Sequence, residues 1–226
     1  SDVYKRQPTK HKHIHSAAGK ATQSEVYSYS YDYADRLQTT THCLNNGPVM
    51  TLVNNEYDEL GRLKHNRRNG QSNLHTNYAY NLRSWTESIS SPLFCETLYY
   101  NDTRSNPTNT RYYNGNISGM DWSVNGDKKR GYDFSYDNLS RLLYADYLEN
   151  NIRNHNFNTS YNYDKQGNIV SLMRSGNQNT TYGIIDNLTL NYRGNQLIKV
   201  EDTASDSNLS VSSMDFRNGA KQDVEY

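Results

Sequence analysis

The sequence predicts an all-β fold built from repeated antiparallel β-hairpins, and three observations carry that reading. The first is an internal repeat. Tyr57-Asp58-Glu59-Leu60-Gly61-Arg62-Leu63 has copies at Tyr31-Asp32-Tyr33-Ala34-Asp35-Arg36-Leu37, Tyr136-Asp137-Asn138-Leu139-Ser140-Arg141-Leu142 and Tyr163-Asp164-Lys165-Gln166-Gly167-Asn168-Ile169. The shared frame is Tyr-Asp, two free positions, a small or turn-prone residue, Arg or Asn, then Leu or Ile. The second is composition: 21 tyrosines, still more asparagines and only four prolines in 226 residues. Tyr favours strands and buries a large ring while keeping its hydroxyl wet, and Asn favours turns. The third is alternation around the repeats: Tyr27, Tyr29 and Tyr31 fall on one strand face, Ser28 and Ser30 on the other.

In chain order, residues 1–24 read as a polar leader outside the array, without stable structure. Its first seven residues, Ser1 to Gln7, resemble translated adapter sequence and are set aside from fold reasoning. No apolar run with a small-residue cleavage site follows, so it is not a signal peptide. His11, His13 and His15 would chelate a metal if extended, but no carboxylate or Cys in the leader completes a site, and a solvated basic leader is favoured.

The array runs over residues 25–226. Each unit reads as a Tyr-x-Tyr strand, an Asp-led turn and a strand beginning at Arg-Leu. Asp32, Asp58, Asp137 and Asp164 accept hydrogen bonds from turn amides. Gly61 and Gly167 supply backbone freedom at the turn. Tyr78 to Trp85 is a degenerate copy with Asn81 for Asp and Trp85 where Leu would sit. Residues 93–111 are looser, with Leu98 to Asp102 read as a strand entering a turn. Tyr112-Tyr113-Asn114-Gly115-Asn116-Ile117 reads as a compact hairpin, and Tyr192 to Leu197 as a contracted unit. Asn69-Gly70 is a hairpin signal. The turn-opening tyrosines 31, 57, 80, 113, 136, 163 and 192 suit one hairpin per repeat. The pattern fades after Thr203, resumes weakly at Val211 and Phe216, and stops at Val224-Glu225-Tyr226 like a strand entering another turn, as a piece of a longer array would.

Composition excludes several function classes. With 24 basic and 24 acidic side chains, net charge is zero, and no basic field suits nucleic acid. No apolar run reaches the roughly 18–20 residues of a membrane span. Cys43 and Cys95 lack metal-ligand spacing; they would pair in an exported protein or stand as incidental thiols. No nucleophile elbow, zinc signature, phosphate loop or Ca²⁺ loop is present, so neither catalysis nor a cofactor is expected. Trp85 and Trp122 could stack on a sugar, against the alternative that each fills a hairpin core. Arg36, Arg62 and Arg141 are expected to pair with a turn carboxylate or stack on a Tyr rather than bind phosphate.

The Tyr-Asp-x-x-Gly-Arg-Leu units resemble the Rhs/YD repeats. Tyr57 to Leu63 matches the consensus at every fixed point, and Tyr163 to Ile169 matches its Gly-Asn-Ile variant; the resemblance covers residues 25–226. The wording at Tyr113 to Met120 and Lys129 to Tyr132 is similar to the bacterial Rhs branch. The resemblance implies a hairpin sheet that spirals into a hollow shell. In Rhs and toxin-complex proteins such a shell encloses a toxic C-terminal domain, and in teneurins a similar shell serves adhesion. It also implies as partners further repeats and a toxin domain of the same polypeptide, together with secretion machinery, and a place outside or on the surface of a bacterium. The family's aspartyl self-cleavage motif is not found, and Asp32, Asp58, Asp137 and Asp164 take no catalytic role. Tyrosine rows are expected to form ladders of stacked rings. The favoured function is a non-catalytic shell segment; the alternative is an adhesion or glycan-binding module.

Overall fold

The computed structural model describes residues 7–104, 108–178, 181–204 and Phe216. Among the described residues the regular structure is sixteen β-strands and one 3₁₀ turn. The strands pair antiparallel, and their order in the sheet follows the chain, with one short strand off the main path. Contacts divide the chain into two units: Ser1–Glu96 with Val124–Gly126, and Thr97–Ser123 with Asp127–Tyr226.

The first unit is a meander of β1 (Lys10–His15), β2 (Gln23–Tyr31), β3 (Leu37–Leu44), β4 (Val49–Tyr57), β5 (Leu63–Arg68), β6 (His75–Tyr80), β7 (Thr86–Ser90) and the start of β8 (Phe94–Tyr99). None of its described residues is fully buried. Cross-strand pairs rather than a core therefore hold it. Lys10–His15, assigned by sequence to an unstructured leader, pairs along its whole length with β2, from Lys10↔Ser28 to His15↔Gln23. Alternation is present there, hidden because His, not an apolar residue, fills the alternate positions.

The second unit continues with β9 (Gly119–Val124), β10 (Arg130–Tyr136), β11 (Leu142–Glu149), β12 (Ile152–Arg153), β13 (Thr159–Tyr163), β14 (Ile169–Gln178), β15 (Thr181–Arg193) and β16 (Gln196–Asp202). β12 is the strand off the path, pairing with β11. This unit has a core: Tyr147, Leu148, Ile185, Leu188 and Val200 are buried. Residues 112–117, expected as a compact hairpin, form no strand pair. Instead the Tyr112 amide donates to the Tyr100 carbonyl at 2.8 Å and the Ser118 amide to that of Tyr99 at 2.7 Å, which folds the segment back onto the end of β8. The strands expected at Val211 and at Val224 to Tyr226 lie outside the described residues.

The ends of the hairpins differ in chemistry. Asp-led turns join β2 to β3, β4 to β5, β10 to β11 and β13 to β14, while Asn pairs occupy turns at the other end. Asn45-Asn46, Asn69-Gly70, Asn125-Gly126 and Asn150-Asn151 all have positive φ at both positions. That geometry matches the twist of the strands and favours Asn and Gly, which explains the abundance of Asn. The first Asn amide of each pair extends the ladder to the preceding strand instead of closing its own hairpin, donating to the Ser24, Leu52, Leu93 and Lys129 carbonyls at 2.7–2.9 Å.

Candidate functional site: the turn joints

Each Tyr-Asp frame folds into the same five-point device. The motif Tyr pairs with the motif Leu or Ile across a bulge: Tyr31↔Leu37, Tyr57↔Leu63, Tyr136↔Leu142 and Tyr163↔Ile169. The Asp58 amide donates to the Arg62 carbonyl and the Gly61 amide to the Asp58 carbonyl, both at 2.9 Å. Asp58 Oδ1 accepts from the amides of Leu60 and Arg62 at 3.0 and 2.8 Å, and Oδ2 from Arg62 Nε at 2.7 Å. Asp32 with Arg36 and Asp137 with Arg141 repeat the set. Asp164 repeats it with Asn168 Nδ2 in the guanidinium's place at 2.8 Å.

The small fifth position is explained by backbone angle. Its φ is 60° at Asp35, 83° at Gly61, 62° at Ser140 and 95° at Gly167. Only Gly adopts that region without strain; Asp35 and Ser140 stand there at a cost, Asp being among the polar residues that tolerate it. The side chains of the free positions lie outside the device: Tyr33, Leu60 and Leu139 are exposed at the turn tips.

The device reaches beyond its own hairpin. The Arg36 guanidinium carbon lies 4.6 Å from the centroid of the Tyr57 ring, Arg62 4.7 Å from Tyr80 and Arg141 4.6 Å from Tyr163. Arg62 Nη1 also donates to the Asn81 carbonyl at 3.2 Å, and Arg141 Nη1 to that of Asp164 at 3.1 Å. In the other direction the Tyr57 hydroxyl donates to the Leu37 carbonyl at 2.9 Å, Tyr80 to Leu63 at 2.9 Å and Tyr163 to Leu142 at 2.7 Å. Each frame thus holds its own turn with Asp and Arg, and its neighbour with Arg and Tyr. The ring contacts of these tyrosines are with arginine, where the sequence reading expected rings stacked on rings. A cation over an aromatic face is attracted by the ring quadrupole, and the planar guanidinium keeps its fork free for the carboxylate.

The degenerate copy corrects one register. Tyr80 pairs with Thr86, so Trp85 occupies the arginine's place, one residue before the leucine's. Asn81 Oδ1 still accepts the amides of Arg83 and Trp85, at 2.9 and 3.0 Å, and the turn survives without a carboxylate. Arg83 lies 5.0 Å from the Trp85 ring. Trp122, half-buried on β9, stacks on Tyr132 at 5.7 Å. One face of each indole is therefore engaged by a protein group. Cys43 and Cys95 are both free thiols.

Electrostatics fit a joint rather than a reaction centre. Asp32, Asp58, Asp137 and Asp164 all titrate below the ordinary carboxylate range. At Asp32 and Asp58 desolvation opposes the charge, but the turn amides and the guanidinium outweigh it. For Asp137 the Arg141 amide leads, and for Asp164 the Asn168 side chain. A carboxylate held ionised with its lone pairs filled is a poor general acid or base.

A second constellation, not visible in the sequence, lies in the second unit. Arg104 is 3 % exposed and grips two carboxylates, Asp121 and Asp133, on neighbouring strands β9 and β10. Lys129 Nζ completes Asp121 at 2.7 Å, and Arg153 links Asp133 to Asp146 at 2.6 and 3.1 Å. The approach requires bare backbone: a Cβ on Gly131 would stand 2.5 Å from Asp121 Oδ1. Burial, reinforced by Asp121, pushes the Tyr99 hydroxyl up to about 12. Asp121 remains below its ordinary range because Arg104 and Lys129 offset its desolvation. The cluster braces the segment after β8 against β9 and β10. No signal marked it, since its members are spread over some fifty residues at no regular spacing.

Comparison with known proteins supports the fold. No family model matches the chain, and no curated protein does. A crystal structure of TcdB2-TccC3 without its hypervariable C-terminal region superposes with a TM-score of 0.55 at 13% identity, over 84% of this chain and 10% of that one. The chain has the YD-repeat fold. A second structure, TcdB2-TccC3-TEV, aligns with a TM-score of 0.46 at 8% identity, over 80% of this chain and 10% of its own. The chain spans about a tenth of the length of the chains it aligns with. Among its described residues no helix is long and apolar enough to cross a membrane.

Proposed function

We propose that this chain is a non-catalytic wall segment of an Rhs-type toxin shell, which isolates a C-terminal toxin domain of the same polypeptide until delivery. The observation that carries the proposal is the joint itself. A guanidinium shared between one turn's carboxylate and the next turn's tyrosine makes each hairpin's stability depend on its neighbours, as an extensible wall needs. The likeness to TcdB2-TccC3 supports the same reading. The setting that goes with it is secretion from, or display on, a bacterial cell, with further YD repeats and export machinery as partners.

The test is to express the full reading frame that contains this segment and follow proteolysis of its C-terminal domain. Protection is expected with the native array and should fail when Arg62→Ala and Arg141→Ala remove the guanidinium shared between neighbouring hairpins. Equal digestion with both arrays would sink the shell reading. A glycan array run alongside separates the adhesion alternative: reproducible binding lost in Trp85→Ala or Trp122→Ala would favour that class instead.

A further inference from the structure

The three histidines of β1 belong to no joint and no brace. β1 is extended, so alternation sets His11, His13 and His15 on one face, and all three are exposed. Their rings are close: 4.1 Å between the centroids of His11 and His13, and 6.3 Å between those of His13 and His15. Pairing with β2 places Glu25 directly opposite His13 and Tyr27 opposite His11. Directly opposed residues have Cβ atoms about 4.5–5.5 Å apart, so the Glu25 carboxylate joins the imidazole row from the neighbouring strand. The Tyr27 hydroxyl donates to that carboxylate at 3.4 Å. The three histidines, Glu25, Tyr27 and Tyr29 line one open depression.

From sequence, the His-x-His-x-His run lacked two things, an extended backbone and a carboxylate. The structure supplies both. We propose that this face binds one divalent transition-metal ion of the imidazole-preferring class (Zn²⁺, Cu²⁺ or Ni²⁺), held by His11 and His13 and closed by Glu25. Imidazole suits these ions, whereas Mg²⁺ and Ca²⁺ take oxygen donors. Metal–nitrogen bonds of about 2.0–2.1 Å in a tetrahedral site set two ligating nitrogens about 3.3 Å apart. Rings with centroids 4.1 Å apart reach that spacing by side-chain rotation, which their exposure permits. Rotation is required, because among the described residues no three donors already converge. Lys10 and Lys12 alternate onto the opposite face and do not oppose the cation there.

Such an ion takes ligands from two strands. Among the described residues β1 pairs only with β2, so occupancy would pin an edge strand to the sheet. Titration calorimetry of the 226-residue chain with Zn²⁺ should show one ion bound per chain. Affinity should fall in the His11→Ala/His13→Ala variant by more than the roughly tenfold that losing a ligand's own hydrogen-bond partner costs. Zn²⁺ should also slow hydrogen exchange of the Lys10–His15 amides in the native chain and not in Glu25→Gln. His155→Ala, far along the sequence, should bind as the native chain does. Circular dichroism verifies that each variant stays folded, as expected for exposed side chains. Undiminished binding in the double variant, equal affinity for Mg²⁺, or binding that leaves exchange of β1 unchanged would each overturn the proposal.

Discussion

The fifth frame position shows what one residue contributes. Gly61 and Ser140 occupy equivalent places with φ of 83° and 62°, yet only glycine adopts that region freely. A side chain there costs about 1–2 kcal/mol, partly offset by the freedom glycine has when unfolded. Ser140→Gly should therefore raise the urea midpoint, by at most about 1 kcal/mol in stability. Gly61→Ala should lower it by at least as much, since its Cβ would also stand 3.0 Å from Arg36 Nη1. The aspartate two residues into each frame sets the acid limit. Its folded pKa lies below the unfolded value, so the stability it contributes is present above about pH 3.9. That contribution is lost as pH falls through the folded value. Thermal melts should drop steeply below about pH 4, and the drop should flatten in Asp58→Asn. That variant should still fold at neutral pH, because Asn81 already closes the same turn through two amides. At the alkaline end burial holds Tyr99, Tyr136 and Tyr147 neutral up to about 12. Their folded values exceed the unfolded value of about 10, so their contribution is whole below pH 10 and is lost as pH rises toward 12.

At the scale of hairpins, the frame was legible in the sequence because turn chemistry is local: Asp, a small residue and Arg act within four positions. How neighbouring frames join was only half legible. The expectation for Arg36, Arg62 and Arg141 offered a carboxylate or a ring; the geometry has both, and the ring belongs to the next repeat, which no spacing within one repeat encodes. A double-mutant cycle of Arg62→Ala and Tyr80→Leu should return a coupling of about 0.5–1 kcal/mol, the range of a partly exposed cation–π pair. Additivity would mean that the ring contact does not hold one hairpin to the next. The Arg104 brace was not legible at all, since it is assembled from two loops and the four strands β9 to β12 by tertiary contact. Because Arg104 is buried between two carboxylates, Arg104→Met leaves charge uncompensated and should cost about 3–5 kcal/mol. The Asn turns were visible as composition but not as positions, because Asn serves either end of a hairpin equally well by propensity.

At the scale of the chain, sequential pairing makes the sheet a nearest-neighbour array, and the leader was misjudged because its strand is recognisable only through its partner β2. Strand order that follows the chain leaves β1 with a single strand partner among the described residues. An unpaired edge offers a row of backbone donors and acceptors to any passing strand. The charges on β1, Lys10 and Lys12, discourage such pairing but leave its backbone open. Among its described residues the first unit has none fully buried to offset the loss if the edge frays. The 226-residue chain by itself should therefore associate as concentration rises, with weight-average mass in sedimentation increasing and β1 amides gaining exchange protection in step. Salt should strengthen this association by screening the edge charges. A sharply melting monomer at high concentration and high salt would show that the β1 edge is already satisfied, and would count against this account of the sheet.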